Sequence, residues 1–236
     1  MDAALPILVT GPFGRVGSGL RRHWGDRYRL RLFDLQPAGD LAPHEQPVTG
    51  SITDAAAIRA AAEGCRAIVH LAATSDEADF LSELVPNNVV GLHNVFEAAR
   101  LAGVPRLIFA STVQVLLGYP HGSFVRDDAP VRPVSRYAAT KVLGEALGRY
   151  YRDRHGLEVI CLRLGSVPHP DRLTEAHRDR PLHLSPRDCA GFIAGAIDAS
   201  PAPEDGYAII SLTSARGAGV RDLARAERLL AYRPLD

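Results

Sequence analysis

Lysine and cysteine are both scarce in this sequence of 236 residues. Lys141 is the single lysine among 27 basic side chains, so the other basic residues are arginines. The three cysteines stand far apart in apolar surroundings, which is typical of free, buried thiols in a reducing compartment rather than of disulfides or a zinc ribbon. They are Cys65, Cys161 and Cys189.

Long apolar runs are absent as well. No segment approaches the roughly 18 apolar residues that a membrane span requires, and no signal-peptide pattern precedes the first apolar run. Neither sign of charge is in excess, because Lys and Arg number 27 and Asp and Glu also number 27. No block of like charge suits nucleic acid or an anionic membrane. We therefore expect a cytoplasmic protein whose partner is a small molecule.

The composition, with 46% hydrophobic and 23% charged residues, supports one core and a single domain over residues 1–236. Short apolar runs, which we expect to form buried strands, lie at residues 5–10, 28–34, 67–71, 106–111 and 158–164. The expected helices are residues 15–24, 54–63, 86–102 and 135–155, with Asp54 as an N-cap and Pro86 in a first turn. This alternation predicts an α/β fold with a doubly wound, mostly parallel sheet.

The pattern loosens after residue 165. Residues 167–186 are rich in Pro, His, Arg and Asp, and only residues 187–199, 207–212 and 220–230 look regular. About seventy residues are too few for an independent second domain. We expect residues 166–236 to form a small substrate-binding lobe over the carboxyl ends of the strands, where ligands of open α/β sheets bind.

A glycine-rich turn follows the first predicted strand. Gly11, Gly14 and Gly17 recur every three residues and lead into a helix. Glycines permit a tight turn and a close approach of backbone to a pyrophosphate, and the helix N-terminus offers unpaired N–H groups. Residues 1–165 are therefore expected to be a dinucleotide-binding core. The other residues of the turn expected at the cofactor are Phe13, Arg15 and Val16.

Two charges bear on the choice of dinucleotide. Asp34 ends the second predicted strand, about twenty residues after the turn, where a carboxylate accepts the ribose hydroxyls of NAD and repels the extra phosphate of NADP. Arg15 favours the opposite choice, because a guanidinium in the glycine turn can hold a phosphate. The balance of the two favours NAD.

Tyr137 and Lys141 lie four residues apart, on one face of a predicted helix. A tyrosine is a poor base near neutral pH, since its reference pKa is about 10, but a nearby cation favours the phenolate. The lysine can also hold the ribose of a nicotinamide. A hydroxyl at the end of the preceding strand would complete the group, and Ser111 and Thr112 are both candidates. Either hydroxyl could instead satisfy backbone groups at the strand end.

These motifs, in this order and spacing, resemble the extended short-chain dehydrogenase/reductase superfamily in its NAD-dependent epimerase/dehydratase branch. The matching segments are residues 10–17, 70–73, 88–94, 110–112, 137–141 and 163–166. Within the superfamily the sequence is most similar to uronate dehydrogenases. This resemblance implies a Rossmann-like fold and oxidation of the anomeric carbon of a uronate with NAD. The short C-terminal part favours a small substrate over a sugar nucleotide.

The resemblance also implies roles for individual residues. Tyr137 would be the general base, Lys141 its electrostatic partner and Thr112 the hydroxyl at the substrate oxygen. Further residues expected at the cofactor are Ser51, Ile52, Leu71, Ala72, Ala73 and Asn88. Residues expected at the substrate are Ser75, Thr112, Val113, Ser166 and Arg172, with Arg178 and Arg180 as alternatives to Arg172 for a carboxylate.

Some residues depart from the family's pattern. Ser51 stands where the family usually has an aspartate that contacts adenine, and residues 113–115 replace a more polar stretch at the substrate. His169, His177 and His183 lack the spacing of a metal site, so no metal is expected. Helices 86–102 and 135–155 are expected to pair across a twofold axis in a homodimer, as is common in the family.

Two other functions remain open from the sequence. The same residues could oxidise a sugar nucleotide or natural-product intermediate transiently, giving epimerisation or dehydration without net NADH, or act as a reductase on it. Alternatively, the chain could be a non-catalytic, NAD-binding regulatory protein. Both Tyr137 and Lys141 are present, which favours an enzyme.

Overall fold

The computed structural model describes residues 5–36, 39–168, 180–200 and 202–236. Within these ranges, seven strands form one sheet in which every neighbouring pair is parallel. The strands are β1 (Ile7–Thr10), β2 (Leu30–Asp34), β3 (Glu45–Thr49), β4 (Ala67–His70), β5 (Arg106–Thr112), β6 (Glu158–Leu164) and β7 (Tyr207–Leu212). Their order across the sheet is β3-β2-β1-β4-β5-β6-β7. The winding therefore reverses between β1 and β4, where ligands of such sheets bind.

Helices cover both faces of the sheet. They are α1 (Arg15–Trp24), α2 (Ala55–Ala62), α3 (Leu92–Leu101), α4 (Arg136–His155), α5 (Pro186–Asp198) and α6 (Leu223–Leu230), and a π-helix (Phe80–Gly91) runs directly into α3. Short helical or turn segments lie at Val113–Leu116, Pro203–Gly206 and Ala215–Gly219. Apolar residues of α1, α5 and α6 share one core with the sheet, and those of α2, α3 and α4 share the other. The predicted doubly wound α/β fold is confirmed.

The strands are buried on both faces. Leu8 and Ile68 lie in the core under α2 and α3, whereas Ile7 and Val9 lie in the core under α1 and α5. Alternate residues of a strand point to opposite faces of a sheet. A strand that is covered on both faces therefore needs a continuous apolar run, which is the pattern that identified β1 and β4 in the sequence.

Two elements differ from the expectation. β3 gives no apolar run, because it begins with Glu45, Gln46 and Pro47; it lies at the edge of the sheet, where polar side chains and proline are tolerated. The helix expected from residue 86 begins earlier, at Phe80, and Pro86 lies inside the π-helix rather than in a first turn. The wider π-helical turn carries the chain past a residue that has no backbone N–H.

Residues after 166 contribute to the main layers of the fold. β7 extends the sheet beside β6, and α5 packs against α1. The sequence analysis expects these residues in a lobe above the strands. The structure differs because a short regular segment does not reveal which layer of the fold it joins. No helix in the described ranges is both long and apolar enough to cross a bilayer.

A buried ion pair anchors α4 to the sheet. Both oxygens of the Glu145 carboxylate accept from the Arg163 guanidinium at 2.8 Å, and the Ser111 hydroxyl donates to the same carboxylate at 2.7 Å. The Glu145 and Arg163 side chains are only 5% and 2% exposed. Glu145 belongs to α4, Arg163 to β6 and Ser111 to β5, so this contact fixes the helix across two strands.

We predict that Glu145→Gln lowers the free energy of unfolding by about 3 kcal/mol or more, because it leaves the buried Arg163 charge without its carboxylate. Asp153→Asn is the matched control. Asp153 pairs with Arg149 on the exposed side of the same helix, and such pairs contribute about 0.5 kcal/mol. Urea denaturation of both variants measures the difference, and equal destabilisation would contradict the anchoring role of Glu145.

Candidate active site

The glycine turn between β1 and α1 is held tightly against the loop after β4. Gly11 has φ +71°, and a Cβ there would lie 2.9 Å from the Ala72 nitrogen. A Cβ on Gly17 would lie 2.6 Å from the Gly11 carbonyl oxygen. Gly14 precedes the first residue of α1, and no side chain caps the helix N-terminus. The unpaired N–H groups and the dipole of α1 therefore suit an anionic group such as a pyrophosphate.

A cleft lies along the carboxyl ends of the strands and has two adjoining parts, which share the glycine turn and the loop after β4. The smaller part, of about 330 Å³, is lined mainly by residues that the sequence predicts at the cofactor. Among them is Asp34, which ends β2. The other predicted cofactor residues that line it are Gly11, Phe13, Gly14, Ser51, Ile52, Leu71, Ala72 and Ala73.

The larger part of the cleft, of about 590 Å³, holds the predicted catalytic residues. Tyr137 and Lys141 line it together with Thr112 and Ser111. The predicted cofactor and substrate residues that also line it are Arg15, Val16, Gly17, Ser75, Val113 and Ser166. The structure thus brings residues from five separate segments of the chain to one place.

Helix α4 places Tyr137 and Lys141. The Ser135 hydroxyl accepts from the Ala138 N–H at 3.0 Å and so caps the helix just before Tyr137. The Lys141 ammonium lies 5.6 Å from the centre of the Tyr137 ring and 5.0 Å from that of Phe109. Gly144 permits this close approach of α4 to β5, since a Cβ there would lie 2.3 Å from the Phe109 ring.

Burial dominates the acid–base properties of this pair. It raises the pKa of Tyr137 to about 12, with a further increase from the Asp76 carboxylate and a smaller decrease from Arg15. Burial also lowers the pKa of Lys141 to about 8. Desolvation of the phenolate is thus the largest influence on Tyr137 in the protein chain by itself, and the expectation that Lys141 lowers the pKa of Tyr137 stays a prediction.

The two hydroxyls at the end of β5 have different partners. The Ser111 hydroxyl donates its proton to Glu145, on the anchor of α4. The Thr112 hydroxyl accepts from the Gln114 N–H at 3.2 Å, a bond that does not use its own proton, so this proton can be donated into the cleft. These partners favour Thr112 over Ser111 as the hydroxyl that donates to a substrate.

His70 and Thr10 support the loop after β4, a role that the sequence did not reveal. The Thr10 hydroxyl accepts from the N–H groups of Leu71 and Ala72 at 3.2 Å, so its proton is donated to Nδ1 of His70 at 2.8 Å. Burial, aided by Lys141, lowers the pKa of His70 to about 3. His70 is thus neutral and fixes the backbone that lines both parts of the cleft.

Asn88 lies behind the cleft rather than at its surface. Its side chain accepts from the Thr74 N–H at 2.9 Å and donates to the Thr74 carbonyl at 2.9 Å and the Thr140 hydroxyl at 3.2 Å. These bonds connect the loop after β4 to α4. The neighbouring Asn87, which was not expected at the site, lines the smaller part of the cleft and donates to the Thr74 hydroxyl.

Some predicted site residues are not brought to the cleft by the described part of the chain. Arg172 and Arg178 lie outside the described residues, and Arg180 is exposed. His169 and His177 also lie outside them, while His183 is buried next to Ser166. Among the described residues, no group of three or more His, Cys, Asp or Glu could hold a metal ion.

Comparison with known proteins supports the relation that the site suggests. Residues 7–199 match the model of the NAD dependent epimerase/dehydratase family. An NAD-dependent glucose-6-phosphate dehydrogenase of Haloferax volcanii is 31% identical over 248 residues, which cover 98% of this chain and 93% of that protein. A uronate dehydrogenase of Pseudomonas putida is 39% identical over 170 residues, which cover 71% of this chain and 63% of that protein. That alignment therefore spans less than two thirds of the uronate dehydrogenase.

The solved structures agree with the sequence comparison. A crystal structure of uronate dehydrogenase from Agrobacterium tumefaciens superposes with a TM-score of 0.87 at 32% identity, covering 100% of this chain and 86% of the other. The predicted resemblance to uronate dehydrogenases and the prediction of an enzyme are confirmed. The chain belongs to the NAD dependent epimerase/dehydratase family.

Proposed function

We propose that this protein is an NAD-dependent oxidoreductase that oxidises the anomeric hydroxyl of a small sugar acid or a related cyclic sugar. The observation that carries the proposal is the convergence of Tyr137, Lys141 and Thr112 on the larger part of the cleft, beside the glycine turn. Two relatives with different substrates, a sugar phosphate and a uronate, are both named as sugar dehydrogenases. A small sugar is the substrate class that they share.

The residues of the smaller part of the cleft suit NAD. Asp34 offers a carboxylate to the ribose hydroxyls and would repel the extra phosphate of NADP. The N-terminus of α1 suits the pyrophosphate. Arg15 lines the larger part of the cleft rather than the part that Asp34 lines. Lys141 is placed to hold the nicotinamide ribose.

Oxidation requires that the substrate carbon lose a hydride and its hydroxyl lose a proton. NAD, when bound, supplies the hydride acceptor. Tyr137, as phenolate, accepts the hydroxyl proton while a carbonyl forms at the reacting carbon. The Thr112 hydroxyl donates a hydrogen bond to the substrate oxygen and orients it. Because burial raises the pKa of Tyr137 and lowers that of Lys141 to about 8, the rate of oxidation should rise with pH as the phenolate becomes more populated, until Lys141 loses its charge near pH 8.

In this proposal, part of the segment after residue 165 covers the bound substrate. Ser166 and Leu182 line the larger part of the cleft, which supports a substrate-binding role for part of residues 166–236. Arg172 stays the proposed partner of a substrate carboxylate. A cytoplasmic location fits the three cysteines, which are all buried and free.

We also propose a homodimer formed through α4. Its outer face carries Ala139, Leu143, Ala146 and Tyr150, which recur at helical spacing and are all exposed. Small residues beside two large apolar ones suit the close approach of a second copy of this helix. Sedimentation velocity is expected to give a dimer for the wild type and a monomer for Leu143→Glu, whereas a monomeric wild type would contradict the proposal.

The proposed activity is tested by the absorbance of reduced nicotinamide. Purified protein is mixed with galacturonate, glucuronate, glucose or glucose 6-phosphate, and with either NAD or NADP. We expect net NADH with at least one sugar and little product with NADP, because Asp34 disfavours the extra phosphate. NAD binding without net NADH on any of the sugars would contradict the proposal and favour an epimerase, a dehydratase or a regulatory protein.

The roles of the two hydroxyls at the end of β5 can be separated by substitution. We predict that Thr112→Val, which keeps the side-chain shape, lowers kcat by about 100-fold, since one donor to the reacting oxygen is lost. Ser111→Ala is predicted to lower the free energy of unfolding by about 1 kcal/mol, with little change in kcat, because its hydroxyl serves Glu145. The opposite pattern would assign the reaction to Ser111.

A further inference from the structure

Asp76 lies in the larger part of the cleft, where it raises the pKa of Tyr137 but transfers no proton in the proposed reaction. It follows Ser75 in the loop between β4 and the π-helix, and it lines the same part of the cleft as Tyr137 and Thr112. Its φ is +62°, in the left-handed region that non-glycine residues rarely adopt. Such backbone conformations cost free energy and concentrate at functional sites. The loop therefore presents this carboxylate at a cost.

Gln114 faces Asp76 across the cleft, and its orientation is fixed. The Ser135 hydroxyl donates to Oε1 of Gln114 at 3.1 Å, which directs the amide nitrogen toward Asp76. This nitrogen lies 3.5 Å from Oδ1 of Asp76, at the limit of a hydrogen bond. The amide protons and the carboxylate therefore retain the capacity to bind a further polar group.

The second oxygen of Asp76 is also loosely held. It lies 3.7 Å from the nearest guanidinium nitrogen of Arg15, and the two side chains are 66% and 50% exposed. An ion pair of this length and exposure is weak. The next carboxylate in the loop, Glu77, differs, because it is bound to the Arg136 side chain and to the Arg136 N–H, outside the cleft. Asp76 is the one of the two that is presented to a ligand.

We propose that Asp76, together with Gln114, binds the sugar hydroxyl on the carbon next to the reacting carbon. The carboxylate accepts from this hydroxyl, and the amide donates to it. The location of both groups beside Thr112 and Tyr137 supports this position on the substrate. The inference rests on the proposed oxidation of an anomeric hydroxyl and specifies how the same site selects its sugar.

The charge of Asp76 has a second consequence for specificity. The Asp76 carboxylate would repel a carboxylate or phosphate of the substrate placed beside it, since like charges repel one another. A sugar acid must therefore turn its carboxylate away from Asp76. Asp76 and Gln114 thus select a face of the sugar that carries hydroxyls and no charge.

The test compares one sugar with its analogue that lacks the hydroxyl next to the anomeric carbon. The sugar is the one with the highest turnover among those named above, and kcat/KM is measured for both compounds with the wild type, Asp76→Ala and Asp76→Asn. Glu77→Ala is the matched control, because it removes a carboxylate of the same loop that does not line the cleft. Gln114→Ala tests the contribution of the Gln114 amide separately.

We expect the wild type to prefer the complete sugar by about tenfold or more, since a binding group of the site loses its partner in the analogue. Asp76→Ala should reduce this preference by about tenfold, Asp76→Asn and Gln114→Ala should reduce it partly, and Glu77→Ala should keep it. If Asp76→Ala turns over the sugars with the same preference as the wild type, the role of Asp76 is overturned and the proposed function stands. Absence of NADH with every sugar would overturn the proposed function and this inference with it.

Discussion

The reversal of strand order between β1 and β4 is the constraint on which the rest of the structure depends. Every strand is parallel to its neighbours, so all carboxyl ends meet at one edge of the sheet. The two halves of the sheet wind in opposite directions from this point, and the connecting segments diverge to leave a crevice. The glycine turn follows β1, and the loop that His70 and Thr10 support follows β4. Their contact, with no room for a Cβ on Gly11, forms the floor of the cleft.

Polar contacts in the core then place the proposed catalytic side chains over this floor. Glu145 fixes α4 to β5 and β6 through Ser111 and Arg163, and Gly144 lets the helix approach the Phe109 ring. Tyr137 and Lys141 lie on the N-terminal part of the same helix, so these contacts hold both side chains in the cleft. Burial raises the pKa of Tyr137 and lowers that of Lys141, so it disfavours the charged form of each side chain.

The sequence predicts the parts of this arrangement that arise from local patterns. The apolar runs identify β1 and β4, and the spacing of Gly11, Tyr137 and Lys141 predicts the cofactor turn and the proposed catalytic pair. β3 is not predicted, because an edge strand needs no apolar run. The start of the π-helix is predicted at the wrong residue, because proline normally marks the first turn of a helix and Pro86 lies inside this one. The partners of Ser111, Asn88 and Asp76 depend on which elements meet in space, so no spacing along the chain could reveal them.

The central claim is that Tyr137 is the base of an oxidation that uses NAD. The most direct measurement compares Tyr137→Phe with the wild type, using calorimetric titration with NAD and the turnover of the preferred sugar. Tyr150→Phe is the control, because Tyr150 lies on the outer face of α4, away from the cleft, and the substitution keeps the ring that the proposed dimer would bury. The account predicts that Tyr137→Phe binds NAD with nearly unchanged affinity and loses turnover by about 100-fold or more, while Tyr150→Phe keeps both. Unimpaired turnover in Tyr137→Phe would contradict it.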